Sequence, residues 1–408
     1  MRYPSLAGMV TAAKAKITRM ALHYRFSAQA SAFMLNCLEF VLQQKFNNLG
    51  QIDTELLRPF RRVLLVDSTS WDVNEKLRGV LPGSGGAASA ANCKLQTVYD
   101  YKHSELEFLD VTAGTVPDNR YTDHLPGILQ KGDLLLMDLG YFKLTTLAGI
   151  IEKDAYFLTR FLVRTTPKNP LSKVSIDLAK HLNTLQENEY EMQILMGGNG
   201  EHPEFTCRLI ALRVSEDIAN ERRRKLKKAA KKKGRTVSKR HLQMCEWTLL
   251  ITNIPQDCLS TKMARAFYTV RWQIELLFKQ LKSVVRIHQS DTGNEHRLRC
   301  ELYGKLIIAA IIHRIHAFET HRQWNTKRRE VSMDKLYKRI QERALTLFFE
   351  FHSSFRQAVA YLKHELKHIM ASCLKDRQPS RPTTLEIIEA QCDPMLENRG
   401  PTRKKGSA

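Results

Sequence analysis

The sequence predicts an α/β protein with helical regions at both ends, on three observations. Two short apolar runs end in an acid, Val63-Leu64-Leu65-Val66-Asp67 and Leu134-Leu135-Leu136-Met137-Asp138, as buried strands do when one end opens into a site. Further strand-like runs fill the middle of the chain. Residues before 58 and after 262 instead keep helical spacing. The 408 residues, 43% apolar and 26% charged, suffice for a folded core and argue against disorder.

Residues 1–58 place Phe33, Leu35, Leu38, Phe40 and Val41 in one apolar stretch with no strand-like run. The first strand then begins abruptly at 63–66 and delivers Asp67. After the loop LPGSGGAASA, residues 95–101 and 106–111 flank a short polar turn and predict a hairpin. That loop is not a phosphate-binding P-loop, because no Gly-Lys-Ser/Thr follows it. Residues 133–140 repeat the first motif and deliver Asp138, and 156–163 form another strand. Strands are also predicted at 192–196, 208–213 and 247–252. These changes of pattern place boundaries that divide the chain into 1–58, 59–164, 165–260, 261–290 and 291–408.

Charge narrows the partner. With 64 Lys and Arg against 42 Asp and Glu, the formal charge is +22 and the pI about 9.7. Such an excess in a folded chain calls for a polyanion, either nucleic acid or an acidic membrane surface. The apolar stretch 306–312 is cut off by Lys305 and His313, far short of the roughly 20 residues of a span. Lys14, Lys16 and Arg19 interrupt any secretory signal core. Eight cysteines without a CxxC pair read as reduced thiols of a cytosolic protein and leave zinc without a site. Twelve Lys and Arg with no acid fall between Arg222 and Arg240. Their composition predicts an exposed helix up to Gly234, either a solvated linker or a phosphate-contacting surface.

Residues 264–285 predict one amphipathic helix. At about 100° per residue, Tyr268, Arg271, Glu275, Lys279 and Lys282 share an arc of about 80°. Val270, Ile274, Leu277 and Leu281 lie opposite. Alone, Arg271, Glu275 and Lys279 are an ordinary ion-pair ladder. Together with Asp67 and Asp138, however, Glu275 completes three carboxylates able to hold divalent metal. Oxygen ligands with open positions suit Mg²⁺, and two such ions flank a phosphodiester.

The spacing Tyr268-x2-Arg271-x3-Glu275-x6-Lys282 is identical to the defining motif of the insertion-sequence-four family of bacterial DDE transposases. Asp67-Ser68-Thr69 and Asp138-Leu139-Gly140-Tyr141 resemble that family's first and second acidic motifs. The resemblance covers about 60–320. It implies a ribonuclease H-like core beginning at 59–164, interrupted by a strand-rich insertion at 165–260 and completed by a helix at 261–290 that carries Glu275. The strands ending in Asp67 and Asp138 would lie side by side. Asp67, Asp138 and Glu275 would be metal ligands, with two Mg²⁺ ions for which Mn²⁺ substitutes. Tyr268, Arg271 and Lys282 would hold the terminal phosphates.

The family's hairpin-forming members have a tryptophan that stacks on a flipped base, and Trp247 stands in its place; the other reading of Trp247 is core. Trp272 is read as packing rather than contact, and Lys279 as a partner of Glu275 or a secondary phosphate contact. His103, His124 and His202 lack partners at metal-ligand spacing and read as loop or surface residues.

By the same resemblance, the protein would cut the ends of a bacterial insertion sequence with a metal ion and join them to a target through the freed 3′-hydroxyl. Its partners would be double-stranded DNA, namely terminal inverted repeats and target. It would be a homodimer in the synaptic complex, cytoplasmic and nucleoid-associated, with no membrane. The short region 1–58 departs from the family's N-terminal end-binding domain. That keeps two alternatives open, a degenerate DNA-binding relative and a nuclease that cuts without joining. The helices of 291–408 serve either subunit contacts or packing within the chain.

Overall fold

The computed structural model describes residues 6–13, 16–44, 56–85, 88–198, 200, 203–376 and 382–392. His202 and the polar break at 377–381 lie outside them. The strands are β1 Val63–Asp72, β2 Asn92–Asp100, β3 Glu105–Ala113, β4 Leu134–Met137, β5 Tyr156–Arg160, β6 Glu189–Met196, β7 Phe205–Arg213 and β8 Trp247–Thr252. They form one eight-stranded mixed sheet in the order β3-β2-β1-β4-β5-β8-β7-β6. Seven helices matter below: α1 Ala28–Gln43, α2 Glu216–Lys232, α3 Thr261–Thr269, α4 Trp272–Ser283, α5 Glu295–Lys327, α6 Met333–Ser353 and α7 Phe355–Met370. The chain forms two compact units.

One unit comprises Asp53–Val66, Asp118–Trp272 and Arg381–Ala408. Here the first half of β1 pairs in parallel with β4, Val63 opposite Leu134 through Val66 opposite Met137. β4 in turn pairs in parallel with β5. All eight residues of the β1–β4 ladder are fully buried, which explains why both runs are continuously apolar rather than alternating. The strands of the region 165–260 join the same sheet. β8 pairs antiparallel with β5, β7 with β8 and β6 with β7, so they extend the sheet sideways.

The start of the parallel ladder is fixed by a buried ion pair. Asp133 has no exposed surface and accepts from Arg62 Nε at 3.0 Å and from the Gln130 amide at 2.7 Å. Arg62 also donates to the Ile128 carbonyl. Asp133 therefore belongs to the fold, while the acid at the other end of the same strand, Asp138, faces a different environment.

The helix expected over 264–285 is two helices. α3 stops at Thr269 and α4 starts at Trp272. The cause is local: the Thr269 hydroxyl bonds the Ala266 carbonyl, and the Val270 and Arg271 amides turn back to Phe267 and Tyr268, three residues behind. β-branched Thr269 and Val270 add crowding. The unbroken ladder assumed over 264–285 is therefore interrupted at Val270 and Arg271.

The other unit comprises Met1–Ile52, Asp67–Pro117 and Gln273–Ser380. β1 continues here past Asp67 to Asp72, so this aspartate lies inside its strand and not at its end. β2 and β3 form the predicted hairpin. α1 packs along α5: Ser31 Oγ lies 3.4 Å from His296 Nδ1, and Arg314 donates to the Val41 carbonyl. Only part of the predicted apolar stretch is covered, since Leu38 is buried while Phe33 and Phe40 are exposed.

α5 also buries two histidines. His313 packs edge-on against Tyr99 and Tyr337, and neither of its ring nitrogens has a hydrogen-bond partner. Burial, with His316 nearby, pushes its pKa down to about 3, and burial pushes His316 down to about 4. Both stay neutral in the folded state while the unfolded imidazoles titrate near 6.5. Stability is therefore at its plateau above that value and is lost as pH falls toward 4. We expect a loss approaching about 1.4 kcal/mol per pH unit for each histidine, read from urea midpoints between pH 7 and 5. His313→Phe should flatten that dependence.

Candidate active site

The register places two opposite charges at neighbouring strand ends. Met137 of β4 is opposite Thr159 of β5, and the next residues in the two parallel strands are Asp138 and Arg160. The Met137 carbonyl accepts from Thr159 Oγ1 at 3.1 Å and from the Tyr268 hydroxyl at 3.3 Å. Burial pushes the Tyr268 phenol up to about 12; the negative Asp138 adds to this, and Arg271 and Arg160 oppose it. Tyr268 is thus a neutral donor held beside the second aspartate. The structure brings Asp138, Tyr268 and Arg271 near one another, with Arg160 beside them. Its signal in the sequence was its place at the end of the strand after Asp138.

Buried Arg208 of β7 holds the start of α3. Its guanidinium bonds both Glu191 oxygens, at 2.6 and 2.7 Å, and the carbonyls of Ile254 and Leu259. Glu191 also accepts from Thr261 Oγ1 at 2.6 Å, in the first turn of α3. A bidentate pair with four of the five guanidinium N–H groups bonded is rigid. It ties the helix bearing Tyr268 to the β6–β7 ladder.

In the other unit, Asp67 Oδ1 accepts from the Ser68 amide at 2.8 Å. Glu275 stands in the first turn of α4, where the helix dipole favours a negative charge. Lys282 in the last turn donates to the Ser70 carbonyl at 2.9 Å, and desolvation lowers its pKa. Lys279 and Trp272 are exposed, Trp272 at 55%, so Trp272 is not a packing residue. His103 is half-buried in the β2–β3 turn, its Nδ1 2.5 Å from Asp100, while His124 is exposed. Asp67, Asp138 and Glu275 are hard oxygen donors, which fits Mg²⁺. Among the described residues, no three His, Cys, Asp or Glu side chains stand as a metal-holding group.

Trp247 opens β8 as predicted but is only 5% exposed. The Arg213 guanidinium covers one face of its ring at 4.7 Å from the centroid. Trp247 lines a cavity of about 480 Å³ whose cations are Arg160, Arg164, Arg222 and Lys225 and whose apolar walls include Phe161 and Met244. The basic run contributes to this cavity because α2 is docked. Arg222 donates to the Trp247 carbonyl and to Thr248 Oγ1, both at 2.9 Å, and Arg223 pairs with Glu246. The run is therefore neither a linker nor wholly exposed. α2 ends at Lys232, followed by Gly234 with φ +61, close to the predicted stop. Arg224, Lys227, Lys228, Lys231 and Lys232 remain on its solvent side.

A family model described as a transposase DDE domain matches residues 58–311. The chain is 28% identical to the transposase for insertion sequence element IS231F of Bacillus thuringiensis subsp. israelensis, over 95% of this chain and 83% of that protein. It is 25% identical to the transposase for insertion sequence element IS1151 of Clostridium perfringens, over 92% and 82%. A cryo-EM structure of a piggyBac transposase synaptic complex with hairpin DNA aligns at a TM-score of 0.42 and 10% identity, over 86% of this chain and 77% of that one.

Proposed function

The chain belongs to the transposase DDE domain family, and from that premise we propose that it cuts and joins DNA at the ends of a bacterial insertion sequence through Asp67, Asp138 and Glu275. The supporting observation is the end of β4, where Asp138 is flanked by Tyr268, Arg271 and Arg160. A carboxylate beside a neutral phenol and two guanidiniums suits a phosphodiester. Divalent ions of the Mg²⁺ type, with Mn²⁺ as substitute, would activate a water or 3′-hydroxyl and stabilise the leaving oxygen.

In this reading the core is ribonuclease H-like. Tyr268, Arg271 and Lys282 grip the terminal phosphates. Arg160 adds a further contact, and its fixed place on a strand lets it act without reordering. Trp247 walls a cavity large enough for a ligand, with arginines for its phosphate and an aromatic ring for its base. Because Arg213 already covers one face of Trp247, only an edge or the other face is open to such a base. Each element end takes one copy of the chain, so the active complex is a homodimer on inverted repeats and target, acting in the nucleoid. No helix among the described residues is long and apolar enough to cross a membrane.

The test incubates purified protein with labelled DNA bearing the element's own ends and Mg²⁺. Nicked, hairpin and joined products are expected. Binding without product would indicate a degenerate DNA-binding relative, and nicks without joining a nuclease. The solvent side of α2 supplies sequence-independent attraction to the DNA backbone. Replacing Lys227, Lys228, Lys231 and Lys232 by Gln should lower affinity on any duplex. If each lysine meets a phosphate, the slope of log K against log salt should shrink by about 3.6. An unchanged slope would return the run to a purely structural role.

A further inference from the structure

We propose that His364 and His368 chelate one transition-metal ion of the Zn²⁺ or Ni²⁺ type, using none of the carboxylates assigned to the cutting chemistry. They lie four residues apart on α7, so their rings stack along one face of the helix. The two Nε2 atoms are 3.1 Å apart, with ring centroids at 4.4 Å and planes tilted by 55°. Two nitrogens each about 2.05 Å from a shared ion stand about 2.9 Å apart at a right angle and about 3.3 Å apart in a tetrahedron. The observed separation falls between these, so the nitrogen spacing on the helix matches that of two ligands sharing one ion.

The surroundings admit a dication. The histidines open into a cavity of about 420 Å³, also lined by Arg339, Arg343, Glu365 and Ser372. Arg343 Nε donates to Glu365 at 2.7 Å and Arg339 to Glu342 at 3.0 Å, so both guanidiniums are balanced. Glu365 Oε1 lies 3.8 Å from Nδ1 of His364, placing a carboxylate beside the nitrogen that would not hold the ion. Among the described residues no third His, Cys, Asp or Glu joins them, so water fills the other positions. Imidazole donors select a borderline d-block ion over Mg²⁺, which keeps to oxygen.

The full chain, stripped with chelator and kept in excess Mg²⁺, is titrated calorimetrically with Ni²⁺ alone and with Zn²⁺ alone. One saturable ion per chain is expected. His364→Gln and His368→Gln should each weaken it by about tenfold or more, since a direct ligand matters at least as much as an outer-shell partner. Melting temperature and Mg²⁺-dependent DNA cleavage should be unchanged in both variants, and His321→Gln should bind as the parent does. Absence of saturable binding, or undiminished binding in the His364→Gln/His368→Gln double variant, would overturn the site.

Discussion

Asp138→Ala should abolish strand cleavage at the element ends while leaving DNA binding intact. Asp138 follows the carbonyl that anchors Tyr268 and lies beside Arg160 at the neighbouring strand end. On its proposed role as a metal ligand, loss of this carboxylate forfeits several kcal/mol of transition-state charge stabilisation. At about 1.4 kcal/mol per tenfold, the rate should fall by about 10³ or more. Single-turnover cleavage of labelled ends gives the rate, and gel shift of the same DNA gives binding. Tyr268→Phe removes only the hydroxyl and its bond to the Met137 carbonyl, so it should cost about tenfold at most. Cleavage by Asp138→Ala within tenfold of the parent would sink the assignment of this strand end as the cutting site.

Asp133→Ala, at the other end of the same apolar run, should instead destabilise the fold without removing a group of the proposed chemistry. The substitution leaves the Arg62 guanidinium, 11% exposed, without its carboxylate, and deprives the Gln130 amide of its acceptor. Breaking a buried pair in this way costs about 3–5 kcal/mol, a large part of the roughly 5–15 kcal/mol that holds a domain together. The urea midpoint should drop accordingly. Replacing both partners by apolar residues, as in Arg62→Met with Asp133→Leu, should recover much of the loss, because no charge is then left buried. A cost of less than about 1 kcal/mol for Asp133→Ala would mean that the pair is solvated.

The contrast between Asp133 and Asp138 indicates how far the sequence could be read. Both acids flank the same apolar run, Leu134-Leu135-Leu136-Met137. Periodicity identifies the strand, and the buried parallel ladder follows from it. Which acid is a structural partner depends on Arg62, which only the register brings beside Asp133 and which also bonds the Ile128 carbonyl. Arg208 and Glu191 are invisible in the sequence for the same reason: each is an unremarkable charge until strand pairing sets its neighbours. The basic run was read as exposed because its composition has little to bury. Arg222 and Arg223 are nonetheless half-buried, since a guanidinium can spend its donors on carbonyls and Glu246 while its stem packs.

The sequence by itself determined the strand runs, the hairpin, the stop of the basic helix near Gly234 and the motif that points to a DDE transposase. These are local matters of side-chain period, backbone preference and residue spacing. The tertiary structure alone decided that β6–β8 widen the sheet, that Asp67 lies within its strand, and that Trp247 is buried under Arg213. It also decided the break between α3 and α4, which a helical wheel drawn over 264–285 passes straight through. A wheel assumes an unbroken ladder of bonds four residues apart. At Val270 and Arg271 those bonds shorten to three, while the Tyr268 hydroxyl reaches the Met137 carbonyl.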